Sequence, residues 1–143
     1  MPLFIITDGY GKVLFEKIFR THLPLILGRD FAGVIKAVGK GVTDLKPGDE
    51  VMGVIPPQSG TGSHAQFLVV SSSLVVVKPP NLTMIEAASI PYAGLTAWAG
   101  LVSSGGLKEV SNGKQVLVMG AAGGVGSIAV QLCKVWGAKV YLC

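Results

Sequence analysis

The order of apolar and polar positions changes character along the chain. Up to His22 it is indistinct: Asp8-Gly9-Tyr10-Gly11 reads as a flexible loop, and Val13, Phe15, Ile18 and Phe19 form a weakly apolar patch to which no element is assigned. From Leu27 the pattern is β-like. Ala32–Val38 is expected as a strand, Gly39-Lys40-Gly41 as a turn, Lys46-Pro47-Gly48-Asp49 as a second turn and Glu50–Ile55 as the next strand. Ser59–Ser63 is expected as a flexible turn leading into a further strand-like stretch, His64–Val70. Leu74–Lys78 is then a strand stopped by Pro79-Pro80, because proline cannot donate to a ladder. Short strands punctuated by proline and glycine predict a small barrel or sandwich.

Beyond the prolines the period lengthens. Thr83-Met84-Ile85-Glu86 is a capping-box pattern ahead of Ala87-Ala88, and Tyr92–Val102, rich in alanine, leucine and tryptophan, predicts a second helix stopped by Ser103-Ser104-Gly105-Gly106. After the turn signal Asn112-Gly113, Gln115–Met119 is an unbroken apolar run, expected as a strand covered on both faces. Val125, Ile128, Ala129, Leu132, Val135 and Trp136 then recur at the spacing of an amphipathic helix that Gly137 ends, and Lys139–Cys143 resumes a strand. Strand, glycine turn, helix and strand within about 30 residues make one βαβ unit. The fold class expected is thus all-β plus α/β: a β module, a helical connector and the beginning of a nucleotide-binding sheet.

Composition narrows the function classes. With 143 residues, 50% hydrophobic and 14% charged, the chain is long and apolar enough to bury a core, and disorder is not the default. The net charge of +4 comes from scattered lysines and arginines with no basic run, so no nucleic-acid partner is expected; the bias suits an anionic cofactor or substrate equally well. Cys133, Cys143, His22 and His64 are isolated and lack zinc-ligand spacing, and no metal is expected. Cys133 reads as a small helix residue. No secretory or membrane-spanning run is present, which leads to the expectation of a soluble protein, with an upstream targeting segment left open.

The chemistry concentrates in Gly120–Gly126. Gly120, Gly123 and Gly126 stand three apart, and Ala121, Gly123 and Gly126 fill the places of the dinucleotide fingerprint with alanine for its first glycine. Amides at a helix start lack intrahelical acceptors and carry the positive end of the dipole, so a diphosphate there gains hydrogen bonds and electrostatic stabilisation without any charged side chain. The alternative is a tightly packed turn that binds nothing. The residue that reads the ribose 2′ position lies about 20 residues further on, at or past Cys143, so NAD and NADP are not separated by the motif.

Gly28-Arg29-Asp30-Phe31-Ala32-Gly33, Val38-Gly39, Lys46-Pro47-Gly48-Asp49-Glu50-Val51, Glu86-Ala87-Ala88, Leu95-Thr96-Ala97-Trp98 and Ala121–Gly126, in this order, resemble the medium-chain dehydrogenase/reductase superfamily, from about Gly9 to the end. Within it the chain resembles the zinc-free, quinone-oxidoreductase-like branch. Zinc alcohol dehydrogenases carry Gly-His-Glu in place of Gly28-Arg29-Asp30, together with a cysteine-rich lobe that this chain does not have. The resemblance implies a partial GroES-like, substrate-side domain over residues 1–91, and a linker helix with the start of a Rossmann domain over 92–143.

It further implies an NAD(P)H-dependent, zinc-independent oxidoreductase delivering hydride to a quinone or an α,β-unsaturated carbonyl, with NADP (NADPH) favoured over NAD. Cofactor phosphates are expected at Ala122, Gly123, Gly124, Val125 and the helix start at Gly126, with Thr96 at the nicotinamide end. Thr96 has a second reading, a helix-interior threonine bonding a preceding carbonyl. Tyr10 stands either at the substrate cleft or in an exposed loop, and Arg29 and Asp30 either line the cleft or form a surface turn of adjacent opposite charges.

A mitochondrial location, a reticulon-type membrane protein partner and a homodimer of the full-length parent also come from the resemblance alone. The superfamily's chains are commonly more than twice this length, so the sequence is expected to be a piece, with weak or no activity by itself. A nucleotide-sensing or protein-interaction module without turnover, and a non-functional fragment, are the competing readings.

Overall fold

The computed structural model describes residues 26–107 and 112–143. Tyr10 and the apolar patch Val13–Phe19 lie outside the described residues. The first unit is an antiparallel sheet of β1 (Asp30–Val34), β2 (Glu50–Val54) and β3 (Val75–Val77), in that order, with Asp30 opposite Val54 and Val51 opposite Val77. Among the described residues it is an open three-stranded sheet. The ladder between the first two strands runs on one step through Ile35, whose N–H donates to Asp49 O at 3.0 Å. The Lys46–Asp49 turn that joins them closes as expected: the Lys46 N–H donates to Asp49 Oδ2 at 3.0 Å, and the Asp49 N–H to Lys46 O at 3.2 Å. The Lys46 backbone donor is the main reason the Asp49 carboxyl is held below its usual value.

Two strand expectations are corrected. Ala32–Val38 forms a strand only to Val34, and His64–Val70 forms none. Phe67 and Val69 in that stretch are largely exposed while Leu68 and Val70 are half-buried, so the stretch packs one side loosely without pairing into a ladder. Lys78, at the end of β3, is buried and has its charge answered by Glu50 at 3.1 Å and by the carbonyls of Pro79 and Leu82.

α1 (Met84–Ala88) opens on the expected capping box. The Glu86 N–H donates to Thr83 Oγ1 at 3.3 Å and the Thr83 N–H donates to Glu86 Oε2 at 2.8 Å, which satisfies two amides that a helix start leaves open. α2 (Pro91–Trp98) continues through a π-helical segment, Ala99–Ser104, so the single helix expected over Tyr92–Val102 changes its winding after Trp98. α1 and α2 pack on β1 and β2, and α2 also packs against α3 (Gly124–Val135), so the helices join the antiparallel sheet to the second unit.

That second unit is β4 (Gln115–Val118), α3 and β5 (Lys139–Leu142), with the strands parallel and Gln115 opposite Lys139. Ala97 of α2, Val118 and Ala129 are its buried centre, with Leu101, Ile128 and Leu132 packed around them. The expectation that Gln115–Met119 is covered on both faces is corrected: Val116 and Val118 turn inward, while Leu117 is 62% and Met119 77% exposed. On α3 the inward stripe is likewise narrower than expected. Val135 is exposed and the fully buried Cys133 takes the interior place, its thiol pushed up by burial. Trp136 is buried and meets Trp98 edge-to-face at 5.6 Å.

Candidate cofactor-phosphate site

The glycine turn joins β4 to α3. Gly120 takes φ +71°, a conformation costly for any side chain, and so lets the chain leave the strand sharply. The N–H groups of Gly120 and Ala121 both donate to Cys143 O, at 2.7 and 3.3 Å, and the Gly123 N–H donates to Gly120 O at 3.0 Å. The first half of the turn is therefore bonded within the fold.

The second half is different. α3 starts at Gly124 with Gly123 as its N-cap, two residues before the start expected at Gly126. The first intrahelical bond across the cap runs from the Ser127 N–H to Gly123 O at 2.8 Å, so the amides of Gly124, Val125 and Gly126 precede the helical ladder. Gly123 has no side chain to cap this end and no acidic residue occupies the first turn. Ala122, Gly123, Gly124 and Val125 are exposed and Gly126 is buried. A diphosphate fits this arrangement: it would meet accessible donors and the positive end of the helix dipole, with no carboxylate of the first turn to oppose it.

The glycines of the turn differ in how much room a side chain would have. A Cβ on Gly126 would run into Gly120 O and come within 2.9 Å of Ala121 Cα, so this residue permits the close passage of helix over turn. Among the described residues a Cβ on Gly124 meets Ala93 Cβ of α2 alone, at 3.9 Å, an ordinary contact. Ala93 thus places α2 beside the helix start, and Thr96, one turn along, belongs to the same stretch of α2. The Thr96 hydroxyl is exposed and donates to Tyr92 O at 2.7 Å, the preceding-carbonyl bond of its second reading.

Arg29 and Asp30 are not a surface turn. Asp30 is the first residue of β1, and its Oδ1 accepts from the Tyr92 N–H at 2.6 Å. Arg29 Nη1 donates to Pro56 O at 3.3 Å and Thr61 O at 3.1 Å. Both side chains tie the sheet to neighbouring segments. The Asp30–Tyr92 contact was missed by sequence reasoning, although Ile90, a poor cap, at the head of α2 is a signal that something distant completes that helix start.

Residues 6–81 match the model of the alcohol dehydrogenase GroES-like domain. The chain belongs to that family. The GroES-like match, followed by the β4–α3–β5 unit, makes the fold a partial GroES-like module joined by helices to the start of a Rossmann sheet. The chain is 52% identical over 120 residues to the mitochondrial NAD(P)H oxidoreductase RTN4IP1 of Danio rerio, a match covering 83% of this chain and 31% of that protein. It is 42% identical over 141 residues to the mitochondrial reticulon-4-interacting protein 1 of Caenorhabditis elegans, covering 93% and 38%. It is 46% identical over 123 residues to the 2-methylene-furan-3-one reductase of Solanum lycopersicum, covering 82% and 31%.

Among solved structures, an alcohol dehydrogenase superfamily protein from Novosphingobium aromaticivorans superposes with a TM-score of 0.79 at 41% identity, over 85% of this chain and 36% of that one. The quinone oxidoreductase from Coxiella burnetii superposes with a TM-score of 0.75 at 34% identity, over 94% and 40%. The GroES-like chain therefore spans about a third of the length of the curated relatives it matches, and its similarity lies with the quinone-oxidoreductase-like, medium-chain branch.

Proposed function

We propose that this chain carries the phosphate-holding turn of an NAD(P)H-dependent, zinc-independent oxidoreductase whose acceptor is a quinone or an α,β-unsaturated carbonyl compound. The observation that carries the reading is the start of α3, where the exposed Gly124 and Val125 present amides ahead of the helical ladder beside a turn that the buried Gly126 lets pack closely. A nicotinamide, when bound, supplies the hydride.

The part of this chain is binding and orientation. Ala122, Gly123, Gly124, Val125 and Gly126 hold the phosphates, and Thr96 lies toward the nicotinamide end on the helix that Ala93 seats against Gly124. The acceptor class draws support from the names of the quinone oxidoreductase and the 2-methylene-furan-3-one reductase, the latter's substrate being an enone. NADP is favoured over NAD, in keeping with the net charge of +4, which suits a further phosphate. A mitochondrial location, a reticulon-type partner, a homodimer of the parent and Tyr10 at the substrate side belong to the same proposal, the first two supported by the relatives' names. So does the division into residues 1–91 and 92–143.

The test is titration of the 143-residue chain with NADPH and NADH, followed by the fluorescence of the Trp98–Trp136 pair, with Gly124→Asp as the control. The aspartate meets no backbone, and a carboxylate in the first turn of a helix leaves the fold intact, but it sets a negative charge where the phosphates go. Saturable binding lost in Gly124→Asp supports the site. A folded wild-type chain that binds neither nucleotide overturns it.

A further inference from the structure

α2 is a helix that its own sequence leaves uncapped. Its N-cap residue is Ile90, which offers no side-chain acceptor, and Pro91 has no N–H, so the first amide in need of a partner is that of Tyr92. The partner comes from 62 positions earlier in the chain: Asp30 Oδ1 accepts from Tyr92 N at 2.6 Å. The carboxylate is carried on the sheet, for Asp30 is paired with Val54 in the β1–β2 ladder and the Ile55 N–H donates to the O of the preceding residue, Arg29, at 2.8 Å. A negative group on a rigid strand thus meets the positive end of a helix.

The first turn of α2 is also the part that faces the glycine turn. Ala93 follows Tyr92 directly and is the residue that a Cβ on Gly124 would touch, at 3.9 Å. The Tyr92 carbonyl, one peptide from the capped amide, receives the Thr96 hydroxyl at 2.7 Å. One residue is therefore gripped at its N–H by the β module and at its C=O by Thr96, next to the residue in contact with the helix start of α3.

We propose that Asp30 is a positioning residue for the nicotinamide side of the site: it supplies the cap that α2 lacks, and so holds Ala93 and Thr96 in register with the start of α3. The inference rests on the nucleotide-site reading. Removing the carboxylate leaves the Tyr92 amide without its acceptor and loosens the first turn of α2, whereas the phosphate-binding amides, on α3, stay in place. Misplacing an orienting element by an ångström weakens what it orients, not what lies on another element.

The experiment compares two ligands that share their phosphates, NADPH and 2′-phospho-ADP-ribose, which lacks the nicotinamide. Both are titrated into the 143-residue chain, Asp30→Ala and Asp30→Asn. In Asp30→Ala the Kd for NADPH rises about tenfold, the scale of one charge-assisted bond at a helix start, while that for 2′-phospho-ADP-ribose stays within about twofold. Asp30→Asn, which keeps an acceptor oxygen without the charge, falls between. Amide hydrogen exchange accelerates in the first turn of α2 and not in α3.

An equal loss for both ligands marks a general defect of the fold and overturns the proposal. So does an unchanged Kd for both in Asp30→Ala, which leaves the phosphate site standing. A wild-type chain that binds neither ligand brings down the nucleotide-site reading, and this inference with it.

Discussion

Gly124 and Gly126 stand two apart in one motif, yet the structure gives them opposite tolerances. At Gly126 a methyl group would enter Gly120 O and crowd Ala121 Cα, both backbone atoms that cannot swing aside. Gly126→Ala is accordingly expected to destabilise the chain by about 1–3 kcal/mol, the usual cost of overpacking, seen as a lowered thermal midpoint. Gly124→Asp, with only Ala93 Cβ nearby, is expected to leave that midpoint nearly unchanged while abolishing nucleotide binding. If the two variants melt alike, the turn is not packed as described. The spacing of three marks Gly120, Gly123 and Gly126 and passes over Gly124; only the path of the helix over Gly120 shows which of these residues a Cβ would crowd.

Among the elements, the start of α1 and the start of α2 are solved in different ways. Thr83 and Glu86 cap α1 from within four consecutive residues, whereas α2 takes its acceptor from β1. The local cap is pH-sensitive. The Thr83 N–H donates to the Glu86 carboxylate, with help from the Thr83 hydroxyl, and these bonds hold its pKa below the ordinary 4.5. A depressed folded pKa means that the stabilisation is fully present above the unfolded value and is lost as pH falls through the folded one. Thermal midpoints of the wild type and Glu86→Gln, followed from about pH 6 to about pH 3, should therefore converge in acid. Asp49 shifts in the same direction, so the difference between the two proteins is the quantity to read. A gap that stays constant through the acid range would show that the carboxylate contributes no pH dependence here.

At the scale of the whole molecule, two small sheets are joined through helices, and the parallel sheet shows apolar surface to water. Leu117 and Met119, on the face opposite Val116 and Val118, are 62% and 77% exposed, and among the described residues β4 pairs with β5 alone. Exposed apolar side chains on a strand with an open edge promote association. The chain should associate with rising concentration and bind a hydrophobic dye, and Leu117→Lys with Met119→Lys should reduce both without loss of helix signal. Light scattering and dye fluorescence that do not respond to the lysines would place the sticky surface elsewhere, the exposed Phe67 and Val69 being the next region to change.

How much of this was legible beforehand follows from how far apart the interacting groups lie. The Lys46–Asp49 turn, the Thr83–Glu86 box, the helix stop at Gly137 and the β4–α3–β5 unit are written in neighbouring residues, because turns, caps and helix ends are satisfied within a few positions of the chain. The glycine turn itself was legible for the same reason, down to Gly123, Gly124 and Gly126, though not the true start of the helix at Gly124. What local pattern misjudged were matters of coverage: His64–Val70 has a strand-like apolar run and forms no strand, and β4 is apolar on both faces but buries one. Apolar character states what a residue would gain from burial, and packing alone decides whether a partner is there to provide it. The sequence by itself determined the local turns, the cap of α1 and the helix stop at Gly137; the tertiary structure decided which faces are buried, and it brought the Asp30 carboxylate to the head of α2, because a bond across 62 positions leaves no periodic trace.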